Sequence, residues 1–218
     1  MSPFNFITEI AGLFPDLGAE SNDHRFAFLA ATSRCELAVR DEIAYRLQRN
    51  HLNPQSPSGF FPGDFVVVRE WDKRYDLAVL NPSGEAVCVV EFNAVATADR
   101  IRGHSAEIRK GYEKLVDDPD ITKADKYVVL VVMLPEKKFD GPAVAAATNY
   151  LHRINRQFEN GGTADGRKFF DGDWKNLLKG HGIKSVDPEG SRRVTIDAGR
   201  YAGVAIELDL FIVGPLIK

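Results

Sequence analysis

Residues 73–93, KRYDLAVLNPSGEAVCVVEFN, read as two apolar strands folded about a turn, with Asp76 in the first strand and Glu91 near the end of the second. Tyr75–Leu80 and Ala86–Phe92 are β-branched or apolar runs, and the Asn-Pro-Ser-Gly between them is turn chemistry. A carboxylate at the end of so apolar a strand requires water, a cation or a metal beside it, because an uncompensated charge is costly away from water. Loop length decides whether the two carboxylates meet. A two-residue loop at Pro82-Ser83 puts Asp76 opposite Val89 with Glu91 as its diagonal neighbour, and a loop at Ser83-Gly84 puts Asp76 directly opposite Glu91. Both registers keep the pair on one face with Cβ atoms within about 5–8 Å. A three-residue loop without a compensating bulge separates them. Two carboxylates this close repel, so a site holding both favours a divalent cation with oxygen ligands, typically Mg²⁺. Asn93, two residues past Glu91, points to the same face.

The flanking sequence supplies neighbours for this hairpin. Phe65–Glu70 is another β-branched run, separated from Tyr75 by the turn Trp71–Arg74, so a three-stranded meander is predicted. Upstream, Thr32 or Ser33 can cap a helix running to about Arg49, and the loop after it, with Asn53, Pro54, Pro57, Gly59 and Pro62, cannot stay helical. At ~100° per residue Glu36 shares the inward stripe of Arg40, Ile43, Ala44 and Leu47, while Glu42 points to solvent. An ion pair with Arg40 one turn on is the structural alternative for Glu36. Downstream, a second helix spans about Asp99–Val116, and the apolar run Lys126–Leu134 reads as a central strand buried on both faces. Beyond Pro135 the pattern predicts a helix near Pro142–Phe158, a Gly-rich loop, a short helix around Trp174–Lys179 and a closing strand Val204–Val213.

With 218 residues, 44% of them hydrophobic and 27% charged, the chain reads as one domain over residues 1–218. Its net charge of -3 gives no bulk attraction to nucleic acid, so such binding requires a local basic face. Cys35 and Cys88 have neither metal spacing nor a disulfide framework, which fits a reducing cytoplasm. Met1–Glu20 lacks a basic n-region and no apolar run approaches a membrane span, so a cytoplasmic location without membrane contact is expected.

The helix CELAVRDEIAYRLQR (35–49), the strand RYDLAVL (74–80) and the strand AVCVVEFN (86–93) follow the order of the PD-(D/E)xK nuclease superfamily, which the chain resembles over about residues 32–134. Within it, the N-terminal nuclease domains of type I restriction subunits and their stand-alone relatives look most similar, with an E..VRD.I...L helix followed by R.D..V and..VE.K. The resemblance implies an α/β fold with a restriction-endonuclease-like core in the order α-β-β-β-α-β, a mixed central sheet flanked by helices. Residues 135–218 would then form a C-terminal α+β extension packed on that core. It also implies Asp76 and Glu91 as metal ligands and Glu36 as a first-helix carboxylate that assists through water or metal. The departure is Asn93, where the family carries lysine: an amide can orient water but has no charge and cannot be the base. Lys73, in the turn, and Lys110, in the second helix, are candidate donors of the missing charge. Lys110 projects away from the stripe of Ile101, Ile108, Tyr112 and Leu115.

The implied activity is hydrolysis of DNA phosphodiesters assisted by Mg²⁺ (or Mn²⁺), in restriction or defence. Asp76, Glu91 and the Phe92 carbonyl would surround the metal, Asn93 would orient the attacking water, and Glu36 would accept a proton through water or complete the shell of a second metal. Arg100, Arg102, Arg109 and Lys110 on the second helix, with His152, Arg153 and Arg156 on the next, would contact phosphates. The ordinary alternative is a solvated helix face balanced by Glu107, Glu113, Asp117 and Asp118. Two other functions fit the same sequence: a nuclease-fold protein without catalysis that binds nucleic acid or a protein partner, to which Asn93 points, and an accessory interaction scaffold, to which the acidic net charge points. Restriction-like enzymes commonly dimerise, so a homodimer is compatible, although no residue shows it. His104 reads as a packed core-edge histidine, and the five histidines lack zinc spacing. GGTADGRK (161–168) reads as a surface loop, and Glu207 and Asp209 as the polar face of a half-buried strand.

Overall fold

The computed structural model describes residues 6–13, 24–32, 35–52, 65–72, 74–95, 101–141, 151, 155–156, 158, 178–180, 182–185 and 191–217. Its helices are α1 (Phe6–Leu13), α2 (Arg25–Thr32), α3 (Cys35–Leu52) and α4 (Ile101–Asp117), with a 3-10 turn at Pro119–Ile121. The strands are β1 (Val66–Trp71), β2 (Tyr75–Leu80), β3 (Ala86–Val95), β4 (Asp125–Pro135), β5 (Lys184–Ser185), β6 (Ser191–Tyr201), β7 (Val204–Val213) and β8 (Leu216–Ile217). Six of them form one mixed sheet in the order β1-β2-β3-β4-β7-β6, and β5 pairs with β8. Only β3 and β4 run parallel within the large sheet, and α4 makes the crossover that a parallel pair requires. The chain is therefore a mixed α/β protein. Among the described residues no helix is long and apolar enough to cross a membrane.

The loop that decides the carboxylate register has three residues, where a two-residue loop is expected. Asn81 N–H donates to the Glu85 carbonyl and Gly84 N–H to the Asn81 carbonyl, both at 2.9 Å, which leaves Pro82, Ser83 and Gly84 in the turn. Gly84 sits at φ +80, a conformation in which glycine has no Cβ penalty. Asn81 Oδ1 accepts from Ser83 N–H at 3.0 Å and Glu85 N–H at 2.9 Å and so sets the turn. Such a loop alone would put Asp76 and Glu91 on opposite faces. A bulge corrects it: Leu80 pairs with Ala86 but Val79 with Cys88, so Val87 is the extra residue, and the ladder continues Ala78↔Val89, Leu77↔Val90. The ladder ends there, and continuing its register by one step brings Asp76 opposite Glu91.

Alternation along the strands produces two apolar layers. On one face, Phe6 and Ile10 of α1 and Val39, Ile43 and Leu47 of α3 pack on Leu77, Val79, Val90, Phe92 and Val129. On the other, Ile108, Tyr112 and Leu115 of α4 pack on Val89, Val128, Leu130, Val132 and Phe211. Glu91 and Asn93 lie on this second face, against Gly111 of α4, and Asp76 is near enough for its charge to bear on Glu91. β3 extends to Val95, so Asn93 is a strand residue.

Three expectations are corrected. Thr32 closes α2, its hydroxyl donating to the Phe28 carbonyl at 2.7 Å, and α3 starts at Cys35 instead of after a Thr32 cap, while the alternative cap Ser33 lies outside the described residues. The region after Pro135 contributes β6 and β7 to the large sheet itself, and β6 was not legible. Because β7 lies between β4 and β6, Asp209 is fully buried instead of lining a half-exposed face. The expected helix at Pro142–Phe158, the loop at 161–168 and the short helix around Trp174–Lys179 lie wholly or largely outside the described residues.

Candidate functional site

The β2–β3 ladder ends at Leu77↔Val90, and just beyond it the Asp76 carboxylate replaces a backbone partner: Phe92 N–H donates to Asp76 Oδ2 at 2.7 Å. A hydrogen bond to a charged acceptor contributes about 1.5–3 kcal/mol. It holds one oxygen of Asp76 still and leaves Oδ1 for another partner. Across from it, Glu91 has a side chain 17% exposed, and Lys114 Nζ of α4 donates to its Oε2 at 2.7 Å. Burial pushes the Glu91 carboxyl above its ordinary range, Lys114 opposes that rise, and the Asp76 charge adds to it. The cation that the strand-end carboxylate requires is therefore a helix lysine.

Lys114 reaches Glu91 because α4 lies close on β3. A Cβ at Gly111 would stand 3.3 Å from Glu91 Cγ and 3.5 Å from Asn93 Nδ2, so the missing side chain permits the approach. Lys114, three residues on, hangs from the same side of the helix. Its Nζ also lies 5.1 Å from the centroid of the Tyr75 ring, which is buried and stacked on Trp71 at 5.9 Å. The Tyr75 hydroxyl donates to Asp118, and that bond is the main reason the Asp118 carboxyl is held below its ordinary range. Asp118 caps the 3-10 turn by accepting from Asp120 N–H at 2.8 Å and takes Arg74 Nη1 at 3.0 Å. Arg74 also binds Asp72 and, at 3.1 Å, Asp120. The end of α4 is thus tied to the β1–β2 turn, which fixes Lys114 over Glu91. Asp118→Ala is expected to lower stability by about 1–2 kcal/mol, the range for a lost cap, read from urea denaturation. An unchanged midpoint would show that this tie contributes nothing.

Asn93 completes the face. Its Nδ2 is buried without a hydrogen-bond acceptor, beside Glu91 and under Gly111. An orphaned buried donor costs about 1–3 kcal/mol, so the position tolerates a penalty that an apolar residue would avoid. The donor set suits a hard divalent cation in kind, with two opposed carboxylates, one oxygen of each not engaged by Phe92 or Lys114, and an amide donor for a bound water or a phosphate oxygen. Among the described residues no group of three His, Cys, Asp or Glu could hold a metal. The remaining ligands would be backbone, water or substrate oxygens, the usual habit of Mg²⁺.

The other predicted site residues are not gathered here. Glu36 is half-buried on α3, and α3 packs on the opposite face of the sheet from Asp76, Glu91 and Asn93. Arg40 binds Asp41 at 2.9 Å and Glu70 at 3.2 Å. Glu42, expected in solvent, pairs with Arg46 at 2.6 Å. The Phe92 side chain is buried in the α3 layer. Arg109 is exposed and pairs with Glu113 at 2.7 Å, while Lys110 and Arg156 are exposed. Lys73, Arg100, His152 and Arg153, and the side chain of Arg102, lie outside the described residues. Sequence reasoning missed Lys114. The available signal was Gly111, a helix glycine that allows close approach to a strand and marks which neighbouring side chains reach it. Comparison with protein-family models, with curated proteins and with solved structures finds no match to this chain.

Proposed function

We propose that the protein is a divalent-metal-dependent nuclease on a restriction-endonuclease-like core, hydrolysing DNA phosphodiester bonds in restriction or defence. The observation that carries this reading is the opposition of Asp76 and Glu91 where β2 and β3 part, under α4, with Asn93 Nδ2 unpaired beside them. The order α3-β1-β2-β3-α4-β4, with β3 parallel to β4, supports it. Mg²⁺ or Mn²⁺ held by Asp76, Glu91 and the Phe92 carbonyl would supply Lewis acidity and an acidified water. The chain's own groups do the rest. Asp76, anchored on Phe92 N–H, keeps one ligand oxygen in place. Asn93 Nδ2 donates to the attacking water or to a phosphate oxygen. Lys114 brings from the helix the charge that the family's lysine carries on the strand, and offsets phosphate charge. Arg102, Arg109, Lys110, Arg153 and Arg156 are the proposed phosphate contacts. Glu36 is left out of this mechanism because α3 covers the other face.

The test is incubation of supercoiled and linear DNA with Mg²⁺, Mn²⁺ or EDTA, where metal-dependent nicking is expected. Asn93→Ala separates function from structure. Removing an orphaned donor is expected to leave stability unchanged or raise it by about 1 kcal/mol, while cleavage falls on the order of a hundredfold. A variant that is destabilised yet cleaves normally would make Asn93 a structural residue. One observation favours a second reading: the Glu91–Lys114 pair is already neutral without metal, as in a nuclease-fold protein that binds nucleic acid or a protein partner without cutting. Salt-dependent DNA binding without cleavage in either metal would select it.

A further inference from the structure

A divalent ion held by Glu91, even on the free Oε1, would stand beside the Lys114 ammonium on Oε2, and two cations that close on one carboxylate repel. Glu91 is largely enclosed and faces Asp76, so its charge requires a counter-ion whether or not metal is present. Lys114 Nζ meets that need at 2.7 Å on Oε2. The two prospective ligands differ in how they are held. Asp76 is bound by a backbone N–H that metal binding leaves untouched, whereas Glu91 is bound by a flexible side chain that can leave. Lys114 has somewhere to go: its side chain is 36% exposed, and the Tyr75 ring lies 5.1 Å from Nζ, a contact that does not depend on Glu91. Tyr75 is itself fixed by Trp71 and Asp118, so this second seat is built into the fold.

We infer that Lys114 is a placeholder for the metal, an internal cation that neutralises Glu91 in the metal-free protein and is displaced from it when the divalent ion binds. The inference rests on the reading of Asp76 and Glu91 as metal ligands. Two consequences follow for the site. Metal affinity is set below what the two carboxylates alone would give, and displacement frees an ammonium group next to the place where substrate phosphate would arrive. Lys114 is thus an affinity-determining residue whose charge is used twice.

Calorimetric titration of Mn²⁺ into the full-length protein tests this, with Lys114→Met, Lys114→Gln, Lys114→Arg and Asp76→Asn alongside the wild type. Removing the competing ammonium is expected to tighten Mn²⁺ binding about tenfold in Lys114→Met, the effect of losing one charge-assisted bond. Lys114→Gln, which keeps a polar side chain at the position, serves if the methionine variant does not fold. Lys114→Arg is expected to bind no more tightly than wild type, and Asp76→Asn to lose binding. In thermal melts without metal, Lys114→Met is expected to fall below wild type, and Mn²⁺ to raise its midpoint by more than it raises that of the wild type. Affinity in Lys114→Met and Lys114→Gln equal to or weaker than wild type overturns the placeholder while leaving the metal site standing. Absence of Mn²⁺ binding in every folded variant, wild type included, overturns the metal site and the placeholder together.

Discussion

If Asp76 holds the metal as proposed, Asp76→Asn is expected to keep the fold and to lose metal-dependent DNA cleavage by about a thousandfold, since it removes a carboxylate that would hold the ion. The asparagine oxygen can still accept from Phe92 N–H, so the parted end of β2 and β3 is preserved. Alanine is less informative, because it also removes that acceptor and leaves a strand-end amide without its partner. The same substitution has a second readout. The Asp76 charge is one of the influences that raise the Glu91 carboxyl, so in Asp76→Asn that carboxyl should titrate at lower pH. The sign follows for stability. A carboxyl raised in the folded protein takes up its proton at higher pH than in the unfolded chain, so its contribution is present at low pH and is lost as pH rises through the raised value. Asp76→Asn should narrow that window above the ordinary glutamate range. The measurements are nicking rates in Mn²⁺ and urea midpoints in EDTA across acid pH. Cleavage by folded Asp76→Asn at the wild-type rate would place the chemistry elsewhere on the molecule.

How much of this was legible depends on how local the cause is. The meander, α4, β4 and β7 follow from apolar runs bounded by turn residues, and each appears within a few residues of its expected place. Glu91 and Asn93 share a face because strand alternation requires it. A shared face for Asp76 and Glu91 is expected of either two-residue loop and denied only to a three-residue loop without a compensating bulge, and the structure has a three-residue turn with that bulge, at Val87. Loop length and bulge are each a one-residue shift, and alternation alone cannot distinguish two shifts from none. Lys114 was missed because its position depends on tertiary approach: Gly111 lets α4 down onto β3, and Asp118 and Arg74 hold its end. β6 was missed for a different reason. Ser191–Tyr201 carries Arg192, Asp197 and Arg200, which a sheet edge lets face solvent, and Arg193, which turns onto Asp209, while Ile196 and Ala198 pack inward. Glu36 shows the limit of a stripe argument, which says that a residue faces the sheet but not which face of the sheet its helix covers.

Asp209 carries the second large effect. It has no solvent exposure, and its partners are the Thr195 hydroxyl at 2.7 Å and Arg193 Nη2 at 2.6 Å, both from β6. The ion pair is close but poorly aligned, since Asp209 Oδ2 and Arg193 Nε have no hydrogen bond of good geometry. Arg193 also lies over Phe211, 5.9 Å from the ring centroid. Arg193→Ala would leave a buried carboxylate with a hydroxyl for company, and the expected loss is about 3–5 kcal/mol. That is a large share of the roughly 5–15 kcal/mol typical of a folded protein. Adding Asp209→Asn in that background should recover part of the loss, because the stranded group is then neutral. Replacing both residues by apolar ones, Arg193→Met with Asp209→Leu, should come close to wild type, as buried ion pairs often contribute little net stability. Function should be insulated from these changes. Arg193 stands in the same cross-strand row as Phe211, Leu130 and Asn93, three strands away from the last, or about 14 Å at the usual strand spacing. Effects at such separation add independently. Urea denaturation of the single and double variants, with cleavage normalised to the folded fraction, checks both halves. A loss under about 1 kcal/mol in Arg193→Ala would mean that Asp209 does not need this cation, and that the Thr195 hydroxyl is sufficient to hold it.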